Sequence, residues 1–144
     1  MKTIEEVKSA VRNVPDFPQK GIQFKDITPI LQNPELFSST IDYMVGLKKF
    51  LKEPTVDVIA GIDARGFIFG AAIANKLGVS FVPIRKKGKL PWDTYEESYD
   101  LEYGSNTIEI HKDAFANNKK VLLVDDLLAT GGTAAAAVNL VRKA

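Results

Sequence analysis

The segment VLLVDDLLATGGT, residues 121–133, contains the clearest structural signal in the chain. Its first four residues, VLLV, form a short apolar run of the kind that makes a buried strand. Two acids and a turn of small residues follow, and the turn opens directly onto TAAAAVNLVRKA, which has the composition of a helix. A strand, a glycine-rich turn and a helix in this order indicate an α/β fold with a mostly parallel sheet.

The same order of elements occurs earlier in the chain. VDVIAGI, residues 56–62, predicts a buried strand, DARG a turn, and FIFGAAIANKLG a helix that ends at Gly78. Another apolar run at residues 81–84 predicts a further strand, and RKKGKLP follows it. Ligands of open parallel sheets bind beyond the carboxyl ends of the strands. We therefore expect the turns DARG, RKKGKLP and DDLLATGGT to meet at one edge of the sheet.

The remaining segments predict helices near the amino terminus and a hairpin in the middle of the chain. Apolar residues at helical spacing predict a first helix before Pro15 and a second, longer one from Pro34 to Pro54. YDLEYGSNTIEIH, residues 99–111, alternates like paired strands. The polar stretch KKGKLPWDTYEES before it, residues 86–98, is predicted to be a long loop or a lid.

Length and composition limit the class of protein. The chain has 144 residues, which suits a single domain, and 19 basic against 18 acidic residues give a formal charge of +1. So balanced a charge provides no general attraction to nucleic acid or acidic membranes. The absence of cysteine excludes a disulfide framework and a thiolate metal site, and the amino terminus has no continuous apolar run that would form a signal peptide or a membrane anchor. We expect a cytoplasmic protein without nucleic-acid or membrane partners.

The turn after the apolar run 121–124 has the groups that a sugar phosphate needs. Its small residues can present backbone N–H groups and two hydroxyls to a phosphate at a helix N-terminus. These residues are Ala129, Thr130, Gly131, Gly132 and Thr133. Asp125 and Asp126 would repel the phosphate, but they can accept hydrogen bonds from the hydroxyls of a ribose. The alternative is that the glycines only turn the chain and that the acids are solvated or cap the helix.

The whole segment VLLVDDLLATGGT resembles the motif by which type I phosphoribosyltransferases bind phosphoribosyl pyrophosphate (PRPP). Four other segments resemble, in order and spacing, segments of one branch of that family, the adenine phosphoribosyltransferases. They are PDFPQKGIQFKDITPIL, IDARGFIFG, PIRKKGKLP and LEYGSNTIEIHKDA. The resemblance implies a type I phosphoribosyltransferase-like fold, in which helices flank a mostly parallel central sheet, with an N-terminal hood at about residues 1–33 and a flexible loop. It also implies that a C-terminal segment of the family is missing after Ala144.

The resemblance implies a reaction as well. Adenine and PRPP would give AMP and pyrophosphate in purine salvage, with Mg²⁺ carried by PRPP and a homodimer as the assembly. Two alternatives stay open. Proteins of this fold also serve as noncatalytic, purine-responsive regulators, although no DNA-binding element is evident here. The acceptor can also be another purine, because the hood and LEYG favour adenine whereas the PRPP motif does not decide.

The same resemblance assigns parts of the sugar phosphate to the two turns. Asp125 and Asp126 would contact the ribose, and residues 129–133 the 5′-phosphate. Pyrophosphate is assigned to the turn in which the family often has a cis peptide without proline, formed by Asp63, Ala64, Arg65 and Gly66. Arg65 is expected to be catalytic, because its guanidinium can stabilise the charge on the leaving pyrophosphate. A surface arginine beside a turn is the alternative.

A dense basic cluster follows the predicted strand at residues 81–84, and its members are Arg85, Lys86, Lys87 and Lys89. A solvated loop is the usual explanation for a run of like charges. This cluster also precedes a long predicted loop, so it can fold over a leaving group with several negative charges. We expect pyrophosphate contacts from Arg85, Lys86 and Lys89.

Recognition of the base is assigned by resemblance to the hood segment Gln23, Phe24 and Lys25. Phe24 would cover one face of the purine and Leu127 the other. Lys25 stands where the family often has arginine. Glu102 in LEYG matches a carboxylate that the family places near the purine imidazole, where it can accept the N9 proton. The alternatives are ordinary core packing for Phe24 and a strand-surface position for Glu102.

Other polar residues give weaker indications. No cage of metal ligands is evident in the sequence, which suits Mg²⁺, an ion that often arrives with a phosphate ligand and retains waters. Tyr95, Tyr99 and Tyr103 can close over a substrate or pack against strands equally well. The lone histidine, His111, is expected at an exposed strand end rather than in catalysis.

Overall fold

The computed structural model of the chain describes residues 1–50, 55–101, 104–115 and 119–144. The chain forms two compact units, Met1–Pro54 and Thr55–Ala144. The prediction that both belong to one domain stays a prediction. Among the described residues, no helix combines the length and the apolar composition needed to cross a membrane.

The first unit consists of helices and a small hairpin. Its elements are α1 Ile4–Ala10, β1 Arg12–Pro15, β2 Gln23–Asp26, α2 Thr28–Leu31, α3 Pro34–Gly46 and a 3-10 helix, Leu47–Phe50. β1 and β2 pair antiparallel. Helices are present before Pro15 and from Pro34, as predicted, but α3 gives way to the 3-10 helix well before Pro54. The hairpin was not predicted, because its strands have four residues each and a proline ends β1.

Local hydrogen bonds explain where α1 and α3 begin. Thr3 and Glu6 form a capping box, in which each side chain accepts a hydrogen bond from the backbone N–H of the other. Asn33 Oδ1 accepts two backbone N–H bonds at 3.0 Å at the start of α3, and Pro34 occupies the first helical position. The buried apolar residues of this unit are Val7, Ile30 and Ile41.

The second unit is built on a five-stranded sheet with the order β5-β6-β4-β3-β7. Its elements are β3 Val58–Ile62, α4 Gly66–Leu77, β4 Ser80–Lys86, β5 Thr94–Asp100, β6 Ser105–His111, β7 Val121–Val124 and α5 Gly132–Lys143. β3 pairs parallel with β4 and β7, whereas β6 pairs antiparallel with β4 and β5. The predicted α/β class is confirmed, and the sheet is mixed because the hairpin β5–β6 extends its parallel centre.

β3 lies at the centre of the parallel part, and all five of its residues are buried. A strand covered on both faces has this continuous apolar composition. α4 follows β3 and ends at Gly78, which adopts a left-handed φ of 67°, as the sequence predicted. α5 buries Ala136, Ala137 and Leu140 in the core that includes alternate residues of β3. The sheet therefore holds the segments after β3 and β7 on a rigid base.

The long loop predicted for residues 86–98 is wrong in its second half. Residues 94–98 begin β5, which pairs with β6 along seven residues. The last two residues of β5 lie in the hairpin predicted for residues 99–111, but its first five were missed. Most residues in TYEESYD are polar, so its period of two is hard to distinguish from a solvated loop. His111 ends β6, but it is half-buried rather than exposed.

Only residues 87–93 connect β4 to β5, and we call this segment the basic turn. The backbone reverses at Gly88, where φ is 80°. Lys87 Nζ donates to Glu96 Oε2 at 2.8 Å, and this hydrogen bond raises the pKa of Lys87. The chain's single tryptophan, Trp92, also lies in the basic turn and is 67% exposed.

Candidate functional site

Two of the three predicted turns, DARG and DDLLATGGT, meet at a cavity of about 460 Å³ beside the carboxyl ends of β3, β4 and β7, whereas RKKGKLP contributes only Lys86, the last residue of β4. The segment after β3 contributes Asp63, Ala64 and Arg65, β4 contributes Lys86, and the segment after β7 contributes residues 125–131. Other lining residues near the hairpin and in α5 are Tyr99, Leu101, Asn106, Thr133 and Ala134. The convergence follows from topology, because parallel strands bring their carboxyl ends to the same edge.

The glycine-rich part of the segment after β7 leads directly into α5. Gly131 precedes the helix with a φ of 87°, a conformation that strains residues with a side chain. The N–H of Ala135 donates to Gly131 O at 2.9 Å and closes the first helical turn. Ala129, Thr130 and Gly131 line the cavity. The positive end of the α5 dipole is therefore beside the cavity, where it favours an anion.

Asp125 is half-buried at the end of β7. Its Oδ1 accepts a hydrogen bond from the Asp126 N–H at 2.9 Å. Gly66 packs closely against it, because a Cβ on Gly66 would lie 3.0 Å from Asp125 Oδ1 and 2.9 Å from Val124 O. Burial raises the pKa of Asp125 to about 6; the hydrogen bond from the Asp126 backbone opposes this shift, and the charge of Asp126 reinforces it. The cavity thus contains a carboxyl group that titrates close to neutral pH.

Asp126 forms an ion pair with Arg65, in which Nε and Oδ2 are 2.6 Å apart. The Asp126 side chain is 8% exposed and the Arg65 side chain 43% exposed. This pair joins the segments after β3 and β7 across the cavity edge. The peptide between Asp63 and Ala64 is cis, as the family resemblance implied. The residues predicted for ribose and for pyrophosphate are therefore direct neighbours.

The predicted basic contacts divide into two groups. Lys86 lines the cavity, whereas Arg85 and Lys89 are not among the described residues that line it. Arg85 lies 3.4 Å from Asp63, measured from Nε to Oδ2, and its Nη1 donates to Lys89 O at 3.1 Å. Arg85 thus connects the cavity turn after β3 with the basic turn. Direct pyrophosphate contacts from Arg85 and Lys89 stay predictions.

The predicted base-binding residues of the hood lie on β2 in the first unit. Gln23 and Lys25 are exposed and Phe24 is half-buried. The ring of Phe24 meets that of Phe17 edge to face, with centroids 5.1 Å apart. In the second unit Leu127 lines the cavity and is 49% exposed, which leaves it available to a base. The base contacts of all four predicted residues stay predictions.

Glu102 and Tyr103 lie outside the described residues, so the predicted proton acceptor also stays a prediction. The residues on either side are described. The N–H of Leu101 donates to Gly104 O at 2.9 Å, and Leu101 lines the cavity. Leu101 is therefore at the cavity edge, and its hydrogen bond to Gly104 joins the ends of β5 and β6.

Among the polar residues that line the cavity, one was left undecided by the sequence and one was missed. Tyr99 packs against the core and also lines the cavity, and Asn106, which was not predicted, lines it beside Tyr99. The two are paired across β5 and β6. The signal that could have found them is the pairing register of β5 with β6. Alternation alone does not fix that register.

Comparison with known proteins gives the same family throughout. The sequence model of the phosphoribosyl transferase domain matches residues 27–144. The chain is 59% identical over 140 residues to an adenine phosphoribosyltransferase of Sulfurimonas denitrificans, covering 96% of this chain and 75% of that protein. It is 53% identical over 139 residues to an adenine phosphoribosyltransferase of Parvibaculum lavamentivorans, covering 96% and 78%.

Solved structures of similar proteins agree. The chain superposes on adenine phosphoribosyltransferase from Thermoanaerobacter pseudethanolicus with a TM-score of 0.91 and 51% identity, covering 97% of this chain and 80% of the other. The Saccharomyces cerevisiae enzyme, complexed with an imino-altritol bisphosphate and adenine, gives a TM-score of 0.92 and 46% identity, with 96% and 80% covered. That complex contains a purine and a phosphorylated sugar analogue together.

Proposed function

Because the chain belongs to the phosphoribosyltransferase family, in its adenine phosphoribosyltransferase branch, we propose that the cavity is where adenine and PRPP react. N9 of adenine bonds to C1′ of PRPP, and AMP and pyrophosphate are the products. The observation that supports this site most directly is the meeting, in one cavity, of an acid pair, a glycine-rich helix N-terminus and the turn that carries Arg65.

The segment after β7 binds the ribose 5-phosphate part of PRPP. Residues 129–133 hold the phosphate at the start of α5, where backbone N–H groups and the helix dipole favour an anion. Asp125 and Asp126 accept hydrogen bonds from the two ribose hydroxyls. The two carboxylates and the bound phosphate are all negatively charged, but they can lie close together because the carboxylates contact the ribose hydroxyls and not the phosphate.

The segment after β3 binds pyrophosphate and stabilises its charge as it leaves. Displacement at C1′ passes through a transition state with oxocarbenium character, and negative charge grows on the pyrophosphate. Among the described residues, Arg65 and Lys86 are the cavity-lining cations that can stabilise this charge. Arg65 is held by Asp126 before PRPP enters. Binding then exchanges partners, so that Asp126 contacts ribose and Arg65 contacts pyrophosphate.

Mg²⁺ enters as part of the substrate, bound to PRPP. The described residues contain no group of three His, Cys, Asp or Glu side chains that could hold a metal alone. The cavity does present the oxygens of Asp63, Asp125 and Asp126, which are ligands of the type Mg²⁺ accepts. When bound, Mg²⁺ neutralises charge on the pyrophosphate. These residues supply the protein side of that site and orient the ribose hydroxyls.

In this proposal Leu127 contacts adenine in the cavity, the contact from Phe24 stays a prediction, and Glu102 accepts the N9 proton. Glu102→Gln nearly keeps the shape and removes the basicity, so the chemical step should slow by about a hundredfold or more while PRPP affinity is retained. Single-turnover AMP formation with both substrates saturating measures that step without loop opening or product release. A parent-like rate would remove Glu102 from the chemistry and leave the binding site intact.

AMP formation from PRPP, Mg²⁺ and different purines tests the whole proposal. Adenine should be used at least about a hundredfold better than hypoxanthine or guanine in kcat/KM, because a site that pairs the 6-amino group leaves polar groups unpaired with a 6-oxo base. Equal use of hypoxanthine would contradict the adenine specificity. Tight binding of PRPP without turnover of any purine would favour the noncatalytic alternative.

Assembly as a homodimer and a cytoplasmic location complete the proposal. The homodimer rests on resemblance to the family, and the location rests on the composition of the chain. Sedimentation equilibrium measures the assembly directly, and a monomer at micromolar concentration would contradict it.

A further inference from the structure

The sheet face that packs on α5 changes from apolar to polar at the cavity edge. Deeper in the unit this face carries Ile84 on β4, Ile108 on β6 and Tyr95 on β5. Side chains two residues apart on a strand share a face, and so do directly paired residues of antiparallel strands. The next positions toward the cavity are therefore Lys86 on β4 and Asn106 on β6. On β5 the next position is Glu97, whose carboxylate contacts α5, and Tyr99 follows it opposite Asn106. We call Lys86, Asn106 and Tyr99 the polar row.

All three members of the polar row line the cavity. Tyr99 is paired with Asn106, whereas Lys86 is paired with Ile108, two residues from Asn106 on β6. The row therefore runs diagonally across three adjacent strands. Tyr99 also lies beside the start of α5, because a Cβ on Gly132 would be 3.6 Å from Tyr99 Cδ2. The hairpin end of the row therefore faces the glycine-rich segment that precedes the helix.

The hairpin that carries the row is fastened to the other end of α5. Asn139 Nδ2 donates to Glu97 Oε1 at 3.1 Å, and Lys143 forms an ion pair with Glu97. Lys143 Nζ also donates to Glu96 O at 3.1 Å. The hydrogen bonds from Lys143 and Asn139 both lower the pKa of Glu97, and the one from Lys143 has the larger effect. These contacts hold the row in place relative to the first turn of α5 before any ligand enters.

The chemistry of the row suits an oxyanion. The side chains of Lys86, Asn106 and Tyr99 can all donate hydrogen bonds, and none carries a negative charge. Lys86 is on β4, next to β3, whose following segment is assigned to pyrophosphate. Asn106 and Tyr99 lie farther from β3 in the strand order, and Tyr99 is the member beside Gly132. Their position fits the 5′-phosphate better than the leaving group.

We propose that Asn106 and Tyr99 form the second side of the 5′-phosphate site, opposite residues 129–133. The Asn106 amide and the Tyr99 hydroxyl donate hydrogen bonds to the phosphate monoester, which the glycine-rich segment holds from the helix side. This inference rests on the proposed function, because it adds residues to the same site. It makes the hairpin β5–β6 a binding element as well as an extension of the sheet.

Calorimetric binding of ribose 5-phosphate, with pyrophosphate as a second probe, tests the inference. Because hydrogen bonds to charged groups contribute substantially to binding free energy, Asn106→Ala should raise the Kd of ribose 5-phosphate about tenfold or more. Tyr99→Phe should raise this Kd by a smaller factor. The Kd of pyrophosphate should not change. Tyr99→Phe keeps the ring that packs on the core, so its fold is preserved.

Ser98→Ala is the matched control. Ser98 and Thr107 lie next to Tyr99 and Asn106 in sequence, and their hydroxyls hydrogen-bond across the same strands at 2.8 Å. Alternation places this pair on the opposite sheet face. Ser98→Ala therefore loses a cross-strand hydrogen bond without touching the cavity, and it should bind ribose 5-phosphate like the parent.

Each outcome decides the inference. If the parent binds ribose 5-phosphate and both cavity variants bind it equally well, Asn106 and Tyr99 are not phosphate contacts and the proposed function stands. If the cavity variants raised the Kd of pyrophosphate and left that of ribose 5-phosphate unchanged, the row would lie at the leaving group and the inference would be overturned. An equal loss in Ser98→Ala would show that hairpin integrity is responsible. Failure of the parent to bind ribose 5-phosphate would overturn the proposed function itself.

Discussion

The segments after β3 and β7 begin alike and end alike, yet they differ in length and charge. Each follows a parallel strand, starts with aspartate and leads to a glycine that begins a helix, Gly66 or Gly132. After β3 the connection is residues 63–65, whereas after β7 it is residues 125–131. The short one carries an arginine. The long one carries two acids and a run of small residues.

This difference shows how one strand–turn–helix unit can serve two halves of a substrate. The short connection directs Arg65 to the cavity edge, where it fits an anionic leaving group. The long connection has room for acids at the strand end and for a phosphate site at the helix start. The two segments meet through the Arg65–Asp126 ion pair and the packing of Gly66 on Asp125. Separate roles with a shared contact can be tested by substitution.

Arg65→Gln should have the largest effect, because it removes the charge that stabilises the leaving pyrophosphate. We expect turnover to fall by about a hundredfold or more, with ribose 5-phosphate affinity little changed. Arg65→Lys keeps the charge without the guanidinium fork and should be intermediate. Steady-state kinetics and calorimetry on the three proteins measure both quantities. Equal losses of turnover and of ribose 5-phosphate affinity would contradict the division of roles.

Asp126→Asn and Thr130→Ala should act on the other half of the substrate. Each removes an interaction with ribose or with the 5′-phosphate, so the Kd of ribose 5-phosphate should rise about tenfold while that of pyrophosphate stays the same. Thr130→Ala is the cleaner test, since Asp126→Asn also weakens the ion pair with Arg65. Parent-like PRPP kinetics in both variants would eliminate the site after β7.

Replacement of each helix-starting glycine by alanine should change the stability of the protein by a different amount. The Cβ of Gly66→Ala would meet the backbone of Val124 at 2.9 Å, and this overpacking should destabilise the protein by about 1–3 kcal/mol. The nearest atom to a Cβ on Gly132 is 3.6 Å away, an ordinary contact, so Gly132→Ala should stay within about 0.5 kcal/mol. Urea denaturation measures both, and equal stabilities would refute the close contact between the segments.

The smallest expected effect concerns the titration of Asp125. Its pKa of about 6 lies above the ordinary value near 4, so between these pH values the folded protein binds more protons than the unfolded chain. The Asp125 contribution to stability is therefore present at low pH and is lost as pH rises through about 6. Between pH 4 and pH 7 the free energy of unfolding of Asp125→Asn should therefore rise by about 1 kcal/mol relative to that of the parent. Solvent screening of the half-buried carboxyl group reduces the effect to this amount.

Denaturation of the parent and of Asp125→Asn at both pH values measures that gain directly. A stability difference that is independent of pH would mean that Asp125 titrates at its ordinary value. In that case the packing of Gly66 does not desolvate the carboxyl group.

Sequence was sufficient for the parts in which local signals and topology agree. Apolar runs located β3, β4 and β7, and the rule for parallel strand ends brought Arg65 and Asp126 to the same cavity. The alternation of residues 99–111 predicted the hairpin but included only the last two residues of β5, because the residues of TYEESYD are mostly polar and resemble a solvated loop. Without the rest of β5 the register with β6 was undefined, and Asn106 could not be recognised as a cavity residue. Contacts between side chains, such as Arg65 with Asp126, depend on packing that periodicity does not encode.

Trp92 gives the basic turn an intrinsic optical label. It is the only tryptophan of the chain, it lies between β4 and β5, and it is largely exposed. Indole emission shifts to shorter wavelengths when water is excluded, so selective excitation reports on residues 87–93 without contributions from elsewhere in the chain. Titration with pyrophosphate therefore reveals, without any chemical labelling, whether this turn moves when the leaving group binds.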